Sequence, residues 1–177
     1  FQINDAVREA IKKILPFHPT TAQKRVLKEI ATDMQTPYPM RRLLQGDVGS
    51  GKTVVAACCA LMALESGYQV ALMAPTEVLV DQHALRLQGQ LAPLDVQVGL
   101  LKGSQGAAER RAALTALAKG DLALVVGTHA LIQDAVSFRD LRVVVWNRGR
   151  EAGPLGRPRG DVLGRHLFAA IGDDDAL

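Results

Sequence analysis

Eight consecutive residues, Gly46-Asp47-Val48-Gly49-Ser50-Gly51-Lys52-Thr53, fit the pattern G-x-x-x-x-G-K-[ST] and constrain the fold more than any other stretch of the chain. A loop of this kind needs an apolar strand before it and a helix after it, and residues 42–45 and 52–66 supply those two patterns. Glycines at 46, 49 and 51 free the backbone to take torsions that a side chain forbids and to bring its N–H groups close to phosphates. Lys52 is placed to neutralise β- and γ-phosphates, the Thr53 hydroxyl to ligate Mg2+, and the helix opening at Lys52 turns its positive end to the same anion. All eight residues, Gly46, Asp47, Val48, Gly49, Ser50, Gly51, Lys52 and Thr53, are therefore the expected ATP–Mg2+ cradle, with Lys52 and Thr53 acting on the reacting phosphates. The competing reading is a Gly-rich turn that fits by chance, and the flanking strand and helix argue against it.

Around the loop, apolar segments and helices alternate. Residues 1–15 read as a helix with Val7, Ala10, Ile11, Ile14 and Leu15 on one face, closed by Pro16. A second helix over 21–34 repeats Ala22, Val26, Ile30 and Met34 every four residues, with Thr20 or Thr21 as its cap, and Pro37-Tyr38-Pro39 breaks the chain after it. Strands are predicted at 42–45, 69–74, 96–101, 122–127 and 141–146, and helices at 52–66 (ended by Gly67), 77–91 and 106–119. Such alternation implies an α/β fold, a mostly parallel sheet with helices on both faces, whose ligands sit beyond the carboxyl ends of the strands.

A chain of 177 residues with 48% apolar content suits one domain. Net charge of +3 is compatible with a polyanionic partner without requiring one. Cys58 and Cys59 are adjacent on the helix after the loop, where small buried residues belong, and they point to a reducing compartment. The longest apolar run, residues 54–64, falls short of the roughly 20 residues of a membrane span, so the expectation is a soluble, cytoplasmic protein with no membrane partner; the oligomeric state is left open, with a monomer as the default. Phe1 in place of Met is compatible with an internal piece of a longer chain.

Phe17, Thr20 and Gln23 open the second helix with a spacing that places a ring and an amide against an adenine; the alternative is a capped surface helix with an ordinary exposed Gln23. Ala74-Pro75-Thr76-Glu77 ends a strand and opens a helix, whose first N–H groups and Thr76 cap make a site for a backbone phosphate. Leu101-Lys102-Gly103-Ser104 and Val126-Gly127-Thr128-His129 repeat the arrangement after two more strands. Each alone reads as a plain strand-to-helix turn. Three on one edge read as a nucleic-acid track formed by Pro75, Thr76, Glu77, Gly103, Ser104, Gly127, Thr128 and His129. His129 either contacts a phosphate or caps a helix, Gln82 and His83 buttress the neighbouring loops, and Asp81 is a solvated helix residue.

Four runs together resemble the first motor lobe of the RecG family of bacterial ATP-dependent DNA helicases. These are residues 39–53 (Pro39-Met40-Arg41-Arg42-Leu43-Leu44-Gln45 leading into the loop), Gly67 through Met73-Ala74-Pro75-Thr76-Glu77, Gln82-His83, and Val126-Gly127-Thr128-His129-Ala130-Leu131-Ile132. The related transcription-repair coupling factors are a poorer fit, since they share the Gly-Asp-Val-Gly start but usually lack Ser50 and the Met73 to Glu77 run. The resemblance covers about residues 1–146. It implies a RecA-like P-loop lobe of a superfamily 2 translocase that remodels stalled replication forks and recombination intermediates. It also implies that Phe17 and Gln23 read adenine, that the loop holds ATP with Mg2+ on Thr53, and that the three turns grip branched or forked DNA. Residues 1–16 become a helical lead-in, 17–146 an incomplete RecA-like lobe, and 147–177 a tail outside the family pattern.

The family continues with Asp-Glu-Gln-His after its next strand, the Asp holding Mg2+ and the Glu activating water. Laid along 141–146 without a gap, those positions carry Asn147, Arg148, Gly149 and Arg150. With both carboxylates absent, and no second lobe to supply an arginine finger, the chain alone is expected to bind ATP with negligible hydrolysis. The last 31 residues hold six Gly, two Pro and five Arg, and they read as poorly ordered with a short helix at 162–171. That composition has the character of a frame-shifted reading of a GC-rich gene; a variant with a new C-terminal role is the competing account. An uncovered sheet edge is expected within 122–146. A non-catalytic nucleotide- or DNA-binding module is the second functional reading. A P-loop kinase or transferase is disfavoured, with no acceptor site or lid in view.

Overall fold

Strand Gln69–Met73 is buried along its whole length, which only an inner strand covered on both faces can be. The computed structural model describes residues 1, 3–15, 17–38, 40–148 and 167–172. In chain order the elements are α1 (Asp5–Ile14), α2 (Thr21–Met34), β1 (Arg41–Leu44), α3 (Lys52–Leu64), β2 (Gln69–Met73), α4 (Glu77–Leu91), β3 (Val98–Leu101), α5 (Ala107–Lys119), β4 (Leu124–Gly127), β5 (Leu141–Arg148) and β6 (Leu167–Gly172). Short 3-10 turns lie at Ala92–Leu94 and His129–Ile132. The described strands form one parallel sheet in the order β1-β6-β5-β2-β4-β3.

Alternate residues of the strands separate two cores. Val70, Leu72, Leu124 and Val126 face α1, α2, α3 and α4, while Ala71, Met73 and Val125 pack with Leu101, Leu117 and Leu131 on the other face. Helices thus cover both faces, as the RecA-like α/β reading requires. Helix α3 is apolar around its circumference and buried from Val55 through Ala63, as expected of a helix enclosed on all sides. Its Cys58 and Cys59 are buried thiols, and burial pushes the Cys58 pKa up to about 12 and that of Cys59 up as well, so both are inert packing groups at neutral pH. Gln69 is polar and buried, and it is satisfied: its amide donates to the carbonyls of Leu117 and Leu122 at 2.9 Å and its oxygen accepts from Asp140 N–H at 3.0 Å. No described helix is long and apolar enough to cross a membrane.

Several boundaries differ from the sequence reading. Helix α1 starts at Asp5 rather than Phe1, because Asn4 takes an extended conformation and its side chain caps Val7 N–H at 3.1 Å. Strand β3 starts at Val98 rather than Val96, since the turn at Ala92–Leu94 and the positive φ of 54° at Asp95 delay the chain. The expected uncovered edge within 122–146 is corrected: β4 lies between β2 and β3, and β5 between β2 and β6, so β1 and β3 are the edge strands. The helix expected at 162–171 is corrected over 167–172, which forms β6 between β1 and β5; the run Leu167-Phe168-Ala169-Ala170-Ile171 is a continuous apolar strand pattern of the kind inner parallel strands use. That strand also removes 167–172 from the poorly ordered reading of the tail. Gln2, Pro16, Pro39, residues 149–166 and residues 173–177 lie outside the described residues, and with them the rest of the helix and tail expectations.

Candidate nucleotide site and nucleic-acid track

The chain leaves β1 at Leu44 and turns at the phosphate loop into α3. Two of its glycines do what sequence demanded: Gly49 and Gly51 have φ of 82° and 87°, in the left-handed region that other residues avoid. Gly46 has no such torsion, and a Cβ there would lie 2.9 Å from Ser50 Oγ, a close contact that rotation of the short Ser50 side chain relieves. The turn is closed by Ser50 N–H donating to Asp47 O at 3.1 Å. Lys52 is buried, and its ammonium donates to the carbonyls of Gly46 and, at 2.9 Å, Asp47, so the cation is held across the mouth of the loop. Thr53 follows in the first turn of α3, where backbone N–H groups have no intrahelical acceptor and the helix dipole is positive.

Gln23 is the element that sequence reasoning described least completely. It is buried, not the ordinary exposed residue of the alternative reading. Its oxygen accepts from Thr20 N–H at 3.0 Å while Thr20 Oγ1 accepts from Gln23 N–H at 3.2 Å, a capping box that starts α2 and settles Thr20 as the cap. Its amide nitrogen then donates 2.9 Å to Ser50 O inside the loop. The helix bearing it is fastened to the strand feeding the loop, because Arg42 of β1 reaches Glu29 at 2.8 Å and Asp33 of α2. Phe17, by contrast, stands exposed on the surface.

The three turns converge. Pro75, Glu77, Gly103, Thr128 and His129 line one crevice, together with Arg110, Ala130 and Gln133. Thr76 caps α4 by accepting from Leu79 N–H at 3.3 Å. Glu77 does not face outward alone: it accepts from Ser104 N–H at 2.9 Å and from the Ser104 hydroxyl, and these bonds, helped by Lys102 and Gly103 N–H, hold its carboxyl below the usual range. The amide donors of the second turn are thus engaged from within the protein. Thr128 is buried, donates its N–H to Leu101 O at 3.3 Å, and caps the short turn by accepting from Ala130 N–H at 3.4 Å. His129 is therefore not the cap; it is exposed at the crevice. Gly127 has backbone on one side, its Cβ position lying 2.3 Å from Leu101 O.

Asp81 is also corrected. It is no merely solvated residue, since Lys102 Nζ donates to both its oxygens at 2.7 and 2.9 Å, tying α4 to the second turn and holding the lysine's pKa up. Gln82 is exposed and His83 buried on α4. Arg110 and Gln133 carry no sequence signal that separates them from their neighbours; only the fold brings them to the crevice. At the end of β5, Asn147 is in register with Ile171 of β6, and Ile171 with Leu44 of β1. Asn147 and Arg148 therefore stand at the level where the phosphate loop begins, the place the resemblance assigns to the two missing carboxylates.

Comparison with known proteins agrees with this arrangement. The DEAD/DEAH box helicase family matches residues 20–147. The ATP-dependent DNA helicase RecG of Acidithiobacillus ferridurans is 56% identical over 131 residues, 74% of this chain and 19% of that protein. RecG of Escherichia coli K12 is 50% identical over 142 residues, 80% of this chain and 20% of that protein. A solved structure of RecG bound to a three-way DNA junction superposes with a TM-score of 0.83 at 38% identity, covering 97% of this chain and 23% of that one. The chain spans about a fifth of the length of the curated relatives it matches.

Proposed function

The chain belongs to the DEAD/DEAH box helicase family and is homologous to the RecG helicases, and on that premise we propose that it is the ATP-binding motor lobe of an enzyme that remodels stalled replication forks and recombination intermediates. The observation that carries this reading is that the phosphate loop and the crevice of the three turns open on the same carboxyl edge of one parallel sheet. Residues 17–148 together with strand β6 (Leu167–Gly172) form the lobe, and 1–16 its helical lead-in. The lobe works as a monomer in the bacterial cytoplasm on branched or forked DNA.

The loop's residues fit ATP with Mg2+. A cradle of glycines with positive φ, a buried ammonium and a helix N-terminus suits a triphosphate, and Thr53 offers the metal a hydroxyl. Bound ATP supplies a transferable γ-phosphoryl group. To receive it, Lys52 exchanges its carbonyl partners for phosphate oxygens, the loop amides orient the chain of phosphates, and Gln23 holds Ser50 in place while presenting its edge to adenine beside Phe17. The neutral Asn147 and the cationic Arg148 give no carboxylate to hold the metal or take the proton of water, so this chain binds and does not turn over. Titration with a fluorescent ATP analogue tests the pocket: Lys52→Ala is expected to weaken binding roughly 10- to 100-fold, the scale of one charge-assisted hydrogen bond lost. Equal affinity in both proteins sinks it.

The substitutions at Asn147 and Arg148 also favour a second reading, a non-catalytic nucleotide- or DNA-binding module. Robust DNA-stimulated ATP hydrolysis by the purified chain removes it. Reading the coding DNA across residues 145–150 in three frames decides between the accounts of the tail: a frame continuing with Asp-Glu-Gln-His makes it a shifted reading, and its absence favours a variant.

A further inference from the structure

The crevice between the three turns contains a cation that the sequence pattern does not assign. Arg110, in the first turns of α5, is half-buried and lines the crevice beside Pro75, Gly103, Thr128 and His129. Its Nη2 donates 2.8 Å to Gln133 Oε1, and among the described residues it makes no ion pair. A neutral partner orients the guanidinium without cancelling its charge. The nearby Lys102 is in the opposite condition, since both oxygens of Asp81 hold it. Ser104, which the turn offers as a phosphate donor, already gives its N–H and hydroxyl to Glu77, and the same contacts draw that carboxylate onto the turn.

From this placement we infer that Arg110 grips a backbone phosphate of a nucleic-acid strand laid across the crevice, with Gln133 as its positioning residue. The inference rests on the reading of the three turns as a nucleic-acid track. A guanidinium presents five donors in a planar fork, and the bond to Gln133 leaves the rest of the fork for bidentate contact with phosphate oxygens. The contact carries no base information, so it sets the register and grip of the strand and leaves sequence preference untouched. His129, exposed at the same crevice, is the neighbouring side chain able to share that phosphate.

Fluorescence anisotropy of a labelled forked DNA, titrated with the 177-residue chain over a series of salt concentrations, tests this. Arg110→Ala is expected to weaken binding roughly tenfold at low salt for every DNA sequence and to reduce the slope of log affinity against log salt by about one. Arg110→Lys retains the slope with part of the affinity, and Gln133→Ala retains the slope with a smaller loss. Affinity for a fluorescent ATP analogue stays unchanged in all three, which establishes that the variants fold. Binding by the unaltered chain with the same affinity and slope in Arg110→Ala overturns the inference and leaves the track in place. No DNA binding by the unaltered chain overturns the track and the inference together.

Discussion

The phosphate loop and the three-turn crevice hang from the same edge of one sheet, but they are shaped by different means. In the loop the backbone does the work: two left-handed glycines, a turn from Ser50 to Asp47, and carbonyls that receive Lys52. In the crevice the work falls to side chains that cross between turns, Glu77 to Ser104, Lys102 to Asp81 and Arg110 to Gln133. Backbone geometry leaves a mark in the sequence because few residue types tolerate it. A tie between two polar side chains some 20 residues apart leaves none.

Gly127 breaks that division, and it gives the largest expected effect. It belongs to the crevice, yet its constraint is a backbone one: an added Cβ would meet Leu101 O at 2.3 Å and Leu131 Cγ at 2.8 Å, with no flexible chain end to give way. Gly127→Ala must part β4 from β3, and we expect a loss of about 3 kcal/mol, seen as a fall in Tm of roughly 6–12 °C. A fall of less than about 2 °C would show that the two strands are not closely apposed there.

In the loop the corresponding change is smaller. Gly51→Ala combines a strained φ with a Cβ 2.3 Å from Gln23 Nε2, but that atom ends a side chain that can swing aside. We expect about 1–2 kcal/mol in thermal unfolding, together with loss of the Gln23–Ser50 tether. Gln23→Ala removes the tether and half of the capping box, at about 1 kcal/mol. The two sites touch, so the double variant should cost less than the sum of the singles; strict additivity in a double-mutant cycle would mean that Gln23 and Gly51 act independently.

The same contrast explains what could be read without coordinates. Helices α2 and α4 run over the predicted residues, because Thr20 and Thr76 cap apolar periodic runs. The parallel sheet followed from alternation. Three things did not follow. The order of strands depends on long-range pairing, so the sequence points to an edge within 122–146, whereas the edges of the described sheet are β1 and β3. Leu167–Gly172 has a pattern that serves a helix or a strand, and only the slot between β1 and β5 selects the strand. Asp81 and Gln23 look like surface residues until Lys102 and Ser50 arrive from distant parts of the chain.

The smallest expected effect concerns the tie at the heart of the crevice. Hydrogen bonds from Ser104 hold the Glu77 carboxyl below its usual range, so the charged, bonded form is favoured in the folded chain. A depressed folded value places its contribution above the unfolded pKa of about 4.3 and removes it as pH falls through the lowered value. Following the Ser104 amide resonance with pH should therefore show a titration whose midpoint lies below the ordinary glutamate range. Glu77→Gln should abolish that titration while leaving the melting temperature at neutral pH nearly unchanged, since a half-buried side chain at the rim of an open crevice is largely screened by solvent. It should also weaken the hold on the Ser104 donors, since the amide keeps one acceptor oxygen of the two, and remove a negative charge from the crevice, so a modest gain in DNA affinity is expected, opposite in sign to the effect of Arg110→Ala. A Ser104 midpoint at or above the ordinary value would mean that Glu77 is turned to solvent, and the second turn would then offer its amides to the strand directly.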